Sequence, residues 1–273
     1  MKIVYCGSDV HFDSFRYLCE HHEILALYTY HNDEDYFMEY QIVEEASRRN
    51  IPVYYGILDK QRISDYFIKE GCQLIFSAEY DKILDLPKNL DDFKAVNVHC
   101  SLLPKGRSYY PIECGFEKDE RYAGVTMHQM ESAVDSGAII FQENIDTIGL
   151  DSIDVYIRCG QLVKEMTIKL MSDFDRFWNE AKPQEGKLPY WKRPSQDKMN
   201  LVHEMNISES LEMFRKYNKM VEASIDGKRY YVVSMSASEV EIDNDCKMLG
   251  HDYCLYKVCD GHLRLTLLEV KDE

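Results

Sequence analysis

Short apolar runs alternate with amphipathic stretches through the first hundred residues. Residues 2–6 (KIVYC) form an apolar run that stops at Gly7, and residues 12–22 follow with Phe12, Phe15, Leu18 and Cys19 at helical spacing. The beat then recurs. Residues 24–30 (ILALYTY) read as a strand, 36–49 as a charged amphipathic helix, 51–55 (IPVYY) as the start of a strand and 61–70 as a helix. Leu74-Ile-Phe76 and residues 95–99 (AVNVH) read as two more strands. Parallel strands need a crossover to return, so strand and helix in alternation predict an α/β fold. The expected architecture is a Rossmann-like, mainly parallel sheet with helices on both faces.

Residues 123–129 and 138–145 read as further strands, joined by residues 131–137 (ESAVDSG). Asp151 is placed to cap a long helix reaching about Trp178, with Ile153, Ile157, Val163, Met166, Leu170, Phe174 and Phe177 on one stripe. Residues 182–197 are rich in proline and polar side chains and read as a connector. After a helix at 208–217 the pattern turns to antiparallel β, with turn signals at Asp226-Gly227 and Asp260-Gly261. These features predict two domains, a catalytic one over residues 1–199 and a small β-rich C-terminal module over 200–273.

Composition narrows the function. The net charge of −16 disfavours a broad face for DNA or RNA, so no nucleic-acid partner is expected and an anionic ligand must be met locally. Nine scattered cysteines without a Cys-x-x-Cys pair suggest reduced thiols and no metal site. No apolar run approaches membrane-spanning length, and a soluble, cytoplasmic protein is expected. A dinucleotide loop is disfavoured because Gly7-Ser-Asp is not followed by Gly-x-Gly-x-x-Gly spacing.

In open α/β sheets, ligands bind beyond the carboxyl ends of the strands, which points to Ser8, to residues 77–80 and to residues 97–101. Asn97 and His99, one residue apart on a strand, project to the same side. Asp135 joins them if its loop folds over the same strand ends. An imidazole accepts a proton from an attacking amine, an amide donates to a developing oxyanion, and a carboxylate orients the imidazole. The three together suit acyl transfer to nitrogen. His128, two residues beyond Thr126, reads better as a packed histidine and is left outside this set.

The run Asn97-Val-His99-Cys-Ser101-Leu-Leu-Pro104, with the later Asp135-Ser-Gly137, resembles the 10-formyltetrahydrofolate-dependent formyltransferase family. The resemblance extends over most of the first 195 residues, through Ile51-Pro-Val53 and Tyr190-Trp-Lys-Arg-Pro194. It implies Asn97, His99 and Asp135 as the catalytic trio and 10-formyltetrahydrofolate as formyl donor. It also implies a folate cleft bordered by residues 77–84, with Ser77, Ala78, Tyr80, Ile83 and Leu84 as contacts. Lys105, Arg107, Tyr109 and Tyr110 are the expected acceptor contacts. In two places this loop departs from the family: Arg107 is followed by Ser108, and Gly106 stands where a larger residue is common.

Three features bear on the acceptor. Residues 201–273 carry nine Lys and Arg against fourteen Asp and Glu, a net of 9 − 14 = −5, the wrong sign for a tRNA-gripping tail domain. The first strand is not followed by the glycine-rich phosphate loop that resemblance to glycinamide ribonucleotide formyltransferases requires. The family's sugar branch remains, acting on a nucleotide-linked amino-dideoxysugar (dTDP- or GDP-linked) for surface polysaccharide such as O-antigen, often as a homodimer. Methionyl-tRNA formyltransferase, and a folate-binding or formyl-hydrolysing relative without an amine acceptor, are the alternatives.

Overall fold

A computed structural model describes residues 1–30, 40–87, 93–186 and 190–270. Its chain gathers into two compact units. The first holds β1 (Lys2–Gly7), α1 (Phe12–His21), β2 (Glu23–Thr29), α2 (Tyr40–Arg48), β3 (Val53–Tyr55), α3 (Lys60–Lys69), β4 (Leu74–Ala78) and β5 (Ala95–His99). After α4 (Pro111–Glu117) come β6 (Tyr122–Gln129), β7 (Ile139–Asp146), α5 (Ser152–Ser172) and α6 (Phe174–Asn179). The start of the expected helix over 36–49, and residues 187–189 of the expected connector, lie outside the described residues.

These strands form one seven-stranded sheet in the order β3-β2-β1-β4-β5-β6-β7, flanked by helices as expected. The first five run parallel, whereas β6 and β7 return antiparallel. The order in which strands are added reverses between β1 and β4, which stay parallel, and at such a switch point these sheets open a crevice at their carboxyl ends. Apolar side chains from both strands and helices, among them Val4, Ala26, Leu58, Ile63, Tyr66 and Ile75, are buried together on one side of the sheet.

The expected single helix to Trp178 is two. Asp151 accepts a hydrogen bond from Asp154 N at 2.8 Å while Asp151 N donates back to the Asp154 carboxylate at 3.3 Å, a reciprocal cap that starts α5. The chain then leaves helical geometry at Asp173 (φ −159°, ψ 67°), and α6 restarts from it.

The second unit holds the chain from Lys192 on, together with Glu113–Glu120 and Thr147–Asp154, so one cut after residue 199 does not describe the partition. The reason is bonding. Cys114 Sγ donates to Lys192 O at 3.2 Å, Lys198 pairs with Glu117, Lys216 Nζ meets Asp119 at 3.1 Å, and Arg215 donates to Leu150 O at 2.9 Å. Its strands are β8 (Asn200–Leu201), β9 (Glu222–Ile225), β10 (Lys228–Ser238), β11 (Cys246–Leu249), β12 (Tyr253–Val258) and β13 (Gly261–Glu269), with α7 (Ile207–Tyr217) between β8 and β9. They form a six-stranded sheet, β11-β12-β13-β10-β9-β8.

Asp226-Gly227 is the expected turn, with φ of 50° and 78° at its two residues. The second turn is shifted by one. Val258 pairs with Gly261, so Cys259-Asp260 makes the bend and Gly261 is already strand. A Cβ on Gly261 would lie 2.8 Å from Ile207 Cδ1, and the Asp260 carboxylate accepts from Ile207 N at 2.8 Å.

Candidate active site

Strand β5 runs antiparallel to β6 with Asn97 opposite His128 and His99 opposite Thr126. Beyond β5, residues 100–106 are tied back onto β6 and β7. The Thr126 hydroxyl donates to Ser101 O at 2.6 Å and accepts from Leu103 N at 3.1 Å. Gln142 Nε2 reaches both Leu103 O (2.9 Å) and the Thr126 hydroxyl (2.8 Å). These bonds satisfy buried polar groups that would otherwise oppose folding.

The loop delivers one carbonyl to the site. His99 Nε2 lies 2.9 Å from Gly106 O, and a carbonyl only accepts, so Nε2 carries the ring proton and Nδ1 holds the lone pair. That lone pair faces Asp135 Oδ2 at 3.7 Å. Gly106 sits at φ 79°, and a Cβ there would lie 2.7 Å from the Ser101 side chain. A larger residue is therefore excluded at this place in this chain.

Asp135 is held at φ 52° within the loop that joins β6 to β7. Asn97 Nδ2 donates to Asp135 Oδ1 at 3.4 Å and to His128 Nε2 at 3.2 Å, and His128 Nδ1 donates to Gln129 O at 2.7 Å. The structure thus brings Asn97, His99 and Asp135 together, and adds His128, whose Nε2 is 3.7 Å from Asp135 Oδ1. His128, expected as a packed histidine outside the set, is buried and also accepts from Asn97. What the sequence does not display is the register that sets it opposite Asn97.

Burial lowers the His99 pKa, although the Asp135 charge and the Gly106 bond partly restore it, so the ring is neutral and ready to accept a proton. For Asp135 burial raises the pKa, but the His128 contact and the electrostatic influence of His99, His128 and Arg107 outweigh it and hold the carboxyl below its ordinary range. A neutral base therefore faces an ionised carboxylate in a site shielded from water.

Arg107 turns inward. Its guanidinium donates to Gln184 Oε1 at 3.0 Å, and Gln184 Nε2 donates to the carbonyls of Asp135 and Gly137, both at 2.9 Å. Gln184, in the connector, was not among the expected site residues; a lone amide there gives no signal in sequence. Lys105 is exposed, Tyr109 is 54% exposed, and Tyr110 is half-buried with its ring edge-on to Tyr109 at 4.9 Å. Arg107 and Lys105 thus part company: the first belongs to the loop network, the second to the surface.

Of the expected folate contacts, Ser77 and Ala78 are buried at the end of β4, where Ser77 pairs with Asn97 and Ala78 with Val98. The Tyr80 hydroxyl binds Gly56 O and accepts from Leu58 N at 3.2 Å. Leu84 is buried with Leu58 and Ile63, whereas Ile83 is 76% exposed. Leu84 and Tyr80 therefore build the wall of this segment, while Ile83 presents an apolar surface.

The fold and this site define a class: a Rossmann-like α/β domain with a neutral histidine, a carboxylate and an amide at the end of one strand. Residues 55–168 match the model of the formyl transferase family. Methionyl-tRNA formyltransferase of Campylobacter lari is 37% identical over 103 residues, covering 37% of this chain and 33% of that enzyme, so the match spans about a third of the relative's length. Among solved structures, HypX from Aquifex aeolicus superposes with a TM-score of 0.71 at 15% identity, over all of this chain and 46% of its own. The N-formyltransferase from Helicobacter canadensis, solved with folinic acid and dTDP-3-aminofucose, gives a TM-score of 0.60 at 18% identity, over 97% of this chain and 98% of its own. These structural likenesses are of fold. Among the described residues no helix is long and apolar enough to cross a membrane.

Proposed function

We propose that this protein transfers the formyl group of 10-formyltetrahydrofolate to the amino group of a nucleotide-linked amino-dideoxysugar. The observation that carries formyl transfer is the meeting of Asn97, His99 and Asp135 at the end of β5 within the segment that matches the family model. A neutral amine attacks the formyl carbon. The C–N bond forms, the carbonyl electrons move to oxygen, and His99 Nδ1 takes the nitrogen's proton. Asp135 stabilises the imidazolium so formed, 3.7 Å away. Asn97 gives the oxyanion the N–H that makes the longer, 3.4 Å bond in the resting site. Collapse restores the carbonyl and expels the folate nitrogen, which takes its proton from the His99 imidazolium and so regenerates the neutral base.

Residues 77–84 supply the folate wall in this reading, with Ser77 beside Asn97 and Ile83 as an exposed apolar contact. Lys105, Tyr109 and Tyr110 supply the acceptor side. The sugar acceptor is favoured by the net −5 over residues 201–273, and by the likeness in fold to a protein solved with a dTDP-amino sugar. The second reading, methionyl-tRNA as acceptor, is favoured by the curated sequence relatives. The deciding assay offers the purified protein 10-formyltetrahydrofolate with dTDP- or GDP-linked amino sugars, or with charged initiator tRNA. Sugar N-formylation is the expected product. Formylation of tRNA alone overturns the sugar reading, and formate release without acceptor replaces both with a hydrolase.

A further inference from the structure

The carboxyl ends of β1, β4 and β5 also gather a second set of side chains. His11 follows β1, Glu79 follows β4 and Cys100 follows β5. Each offers one donor atom, and the three atoms lie within 4.8 Å of one another. Cys100 Sγ and His11 Nε2 are 3.9 Å apart. Next along the chain from His99, Cys100 points to a different neighbourhood, so the two sets share a strand end without sharing a residue.

His11 and Cys100 are 1% and 2% exposed, and Glu79 is half-buried. The other ring nitrogen of His11, Nδ1, is buried without a hydrogen-bond partner. Tetrahedral coordination with ordinary zinc–nitrogen and zinc–sulfur bonds separates N from S by about 3.5 Å. The observed 3.9 Å needs only a small contraction.

We propose that His11, Glu79 and Cys100 form a binding site for a divalent cation of the zinc class. One nitrogen, one sulfur and one oxygen donor match a borderline-soft ion rather than magnesium or calcium. On binding, the Cys100 thiol gives its proton to solvent and the thiolate forms the metal–sulfur bond. Thiolate and carboxylate together then balance the two positive charges, so the buried site is neutral. The ion joins three strand ends around the switch point of the sheet. Its donors are distant in sequence, which is why cysteine spacing alone pointed to no metal. The proposal rests on this donor set and is independent of the transfer reaction.

The test is titration of chelator-treated, full-length protein with Co²⁺. One equivalent is expected to produce a thiolate-to-cobalt charge-transfer band together with visible d–d absorption, both abolished by one equivalent of Zn²⁺. Cys100→Ser is expected to remove the charge-transfer band, and Glu79→Gln and His11→Ala to weaken cobalt binding at least tenfold. Cys259→Ser, at an exposed thiol, keeps the wild-type spectrum. Absence of the band in the wild-type protein, or its survival in Cys100→Ser, overturns the proposal. If Cys100→Ser does not fold, Glu79→Gln decides, because unchanged cobalt affinity in that variant is equally fatal.

Discussion

At the end of β5, His99 and His128 are buried and Asn97 and Asp135 half-buried, and hydrogen bonds order them. Strand β13 achieves order differently: Leu263, Leu265 and Leu267 are buried, while Arg264 between them is exposed. In β13 the period of two decides which side faces the core, and each leucine contributes through apolar area. In β5 the same alternation only selects the face. The rest depends on loops that bring Gly106 O, Asp135 and Gln184 to fixed places. Function in the first region is therefore expected to fail at substitutions that barely alter folding, and the second region to show the converse.

The largest expected effect separates the two regions completely. His99→Ala removes the proton acceptor, a loss of about 100- to 10,000-fold in kcat. Asn97→Ala removes one oxyanion donor and costs about 100- to 1,000-fold. Formylation rates under saturating donor and acceptor measure both, and thermal unfolding shows whether the fold persists. A His99→Ala protein that turns over at the wild-type rate eliminates the proposed base.

Two glycines sharpen the comparison, because they have nearly the same backbone and different surroundings. Gly106 and Gly227 lie at φ 79° and 78°, but a Cβ on Gly106 meets Ser101 at 2.7 Å, whereas on Gly227 it meets nothing within 4 Å. Gly227→Ala is expected to lose about 1 kcal/mol from backbone strain alone. Gly106→Ala adds the collision and is expected to cost about 3 kcal/mol. It also shifts the carbonyl that orients His99, so kcat falls with stability. Denaturant unfolding of both variants is the measurement, and equal losses contradict the packing argument.

Gln184 gives a smaller effect that acts through position. Gln184→Ala leaves the carbonyls of Asp135 and Gly137 short of a donor and is expected to cost about 1–3 kcal/mol, roughly tenfold or more in kcat. Gln184→Glu is nearly isosteric, yet it points a carboxylate at the same two carbonyls, and is expected to be the more harmful. The KM for the folate donor should move little in either. If Glu is tolerated better than Ala, Gln184 does not work by donating to this loop.

These predictions also show what was legible beforehand. The strand-helix alternation exposed the parallel sheet, and the spacing of Asn97 and His99 placed both on one face. Asp226-Gly227 identified its hairpin because the turn itself demands positive φ. Asp260-Gly261 misled by one residue, because Gly261 already pairs with Val258, a register no local pattern contains. His128 needed the β5–β6 register, and Gln184 needed a loop to fold beside another far away in sequence. The partition into units was hidden for the same reason, since ion pairs such as Lys216–Asp119 draw 113–120 toward the C-terminal segment. Local periodicity reveals elements; tertiary hydrogen bonds reveal the wiring between them.

The smallest effect belongs to α7, in the C-terminal unit. Asn206 accepts from Glu209 N at 2.8 Å while the Glu209 side chain accepts from Asn206 N at 3.0 Å, so each satisfies a donor that the helix leaves open. Asn206→Ala removes one half of this arrangement and is expected to cost about 1 kcal/mol. Asn206→Asp retains an acceptor at the same place and adds a negative charge at the helix N-terminus, so it should restore most of that loss. Neither side chain belongs to the proposed chemistry, and kcat is expected to remain unchanged while the unfolding midpoint falls in the alanine variant alone. A drop in turnover at full occupancy of folded protein means that α7 contributes to the reaction, and the separation between ordering by wiring and ordering by periodicity then no longer coincides with the separation between function and stability.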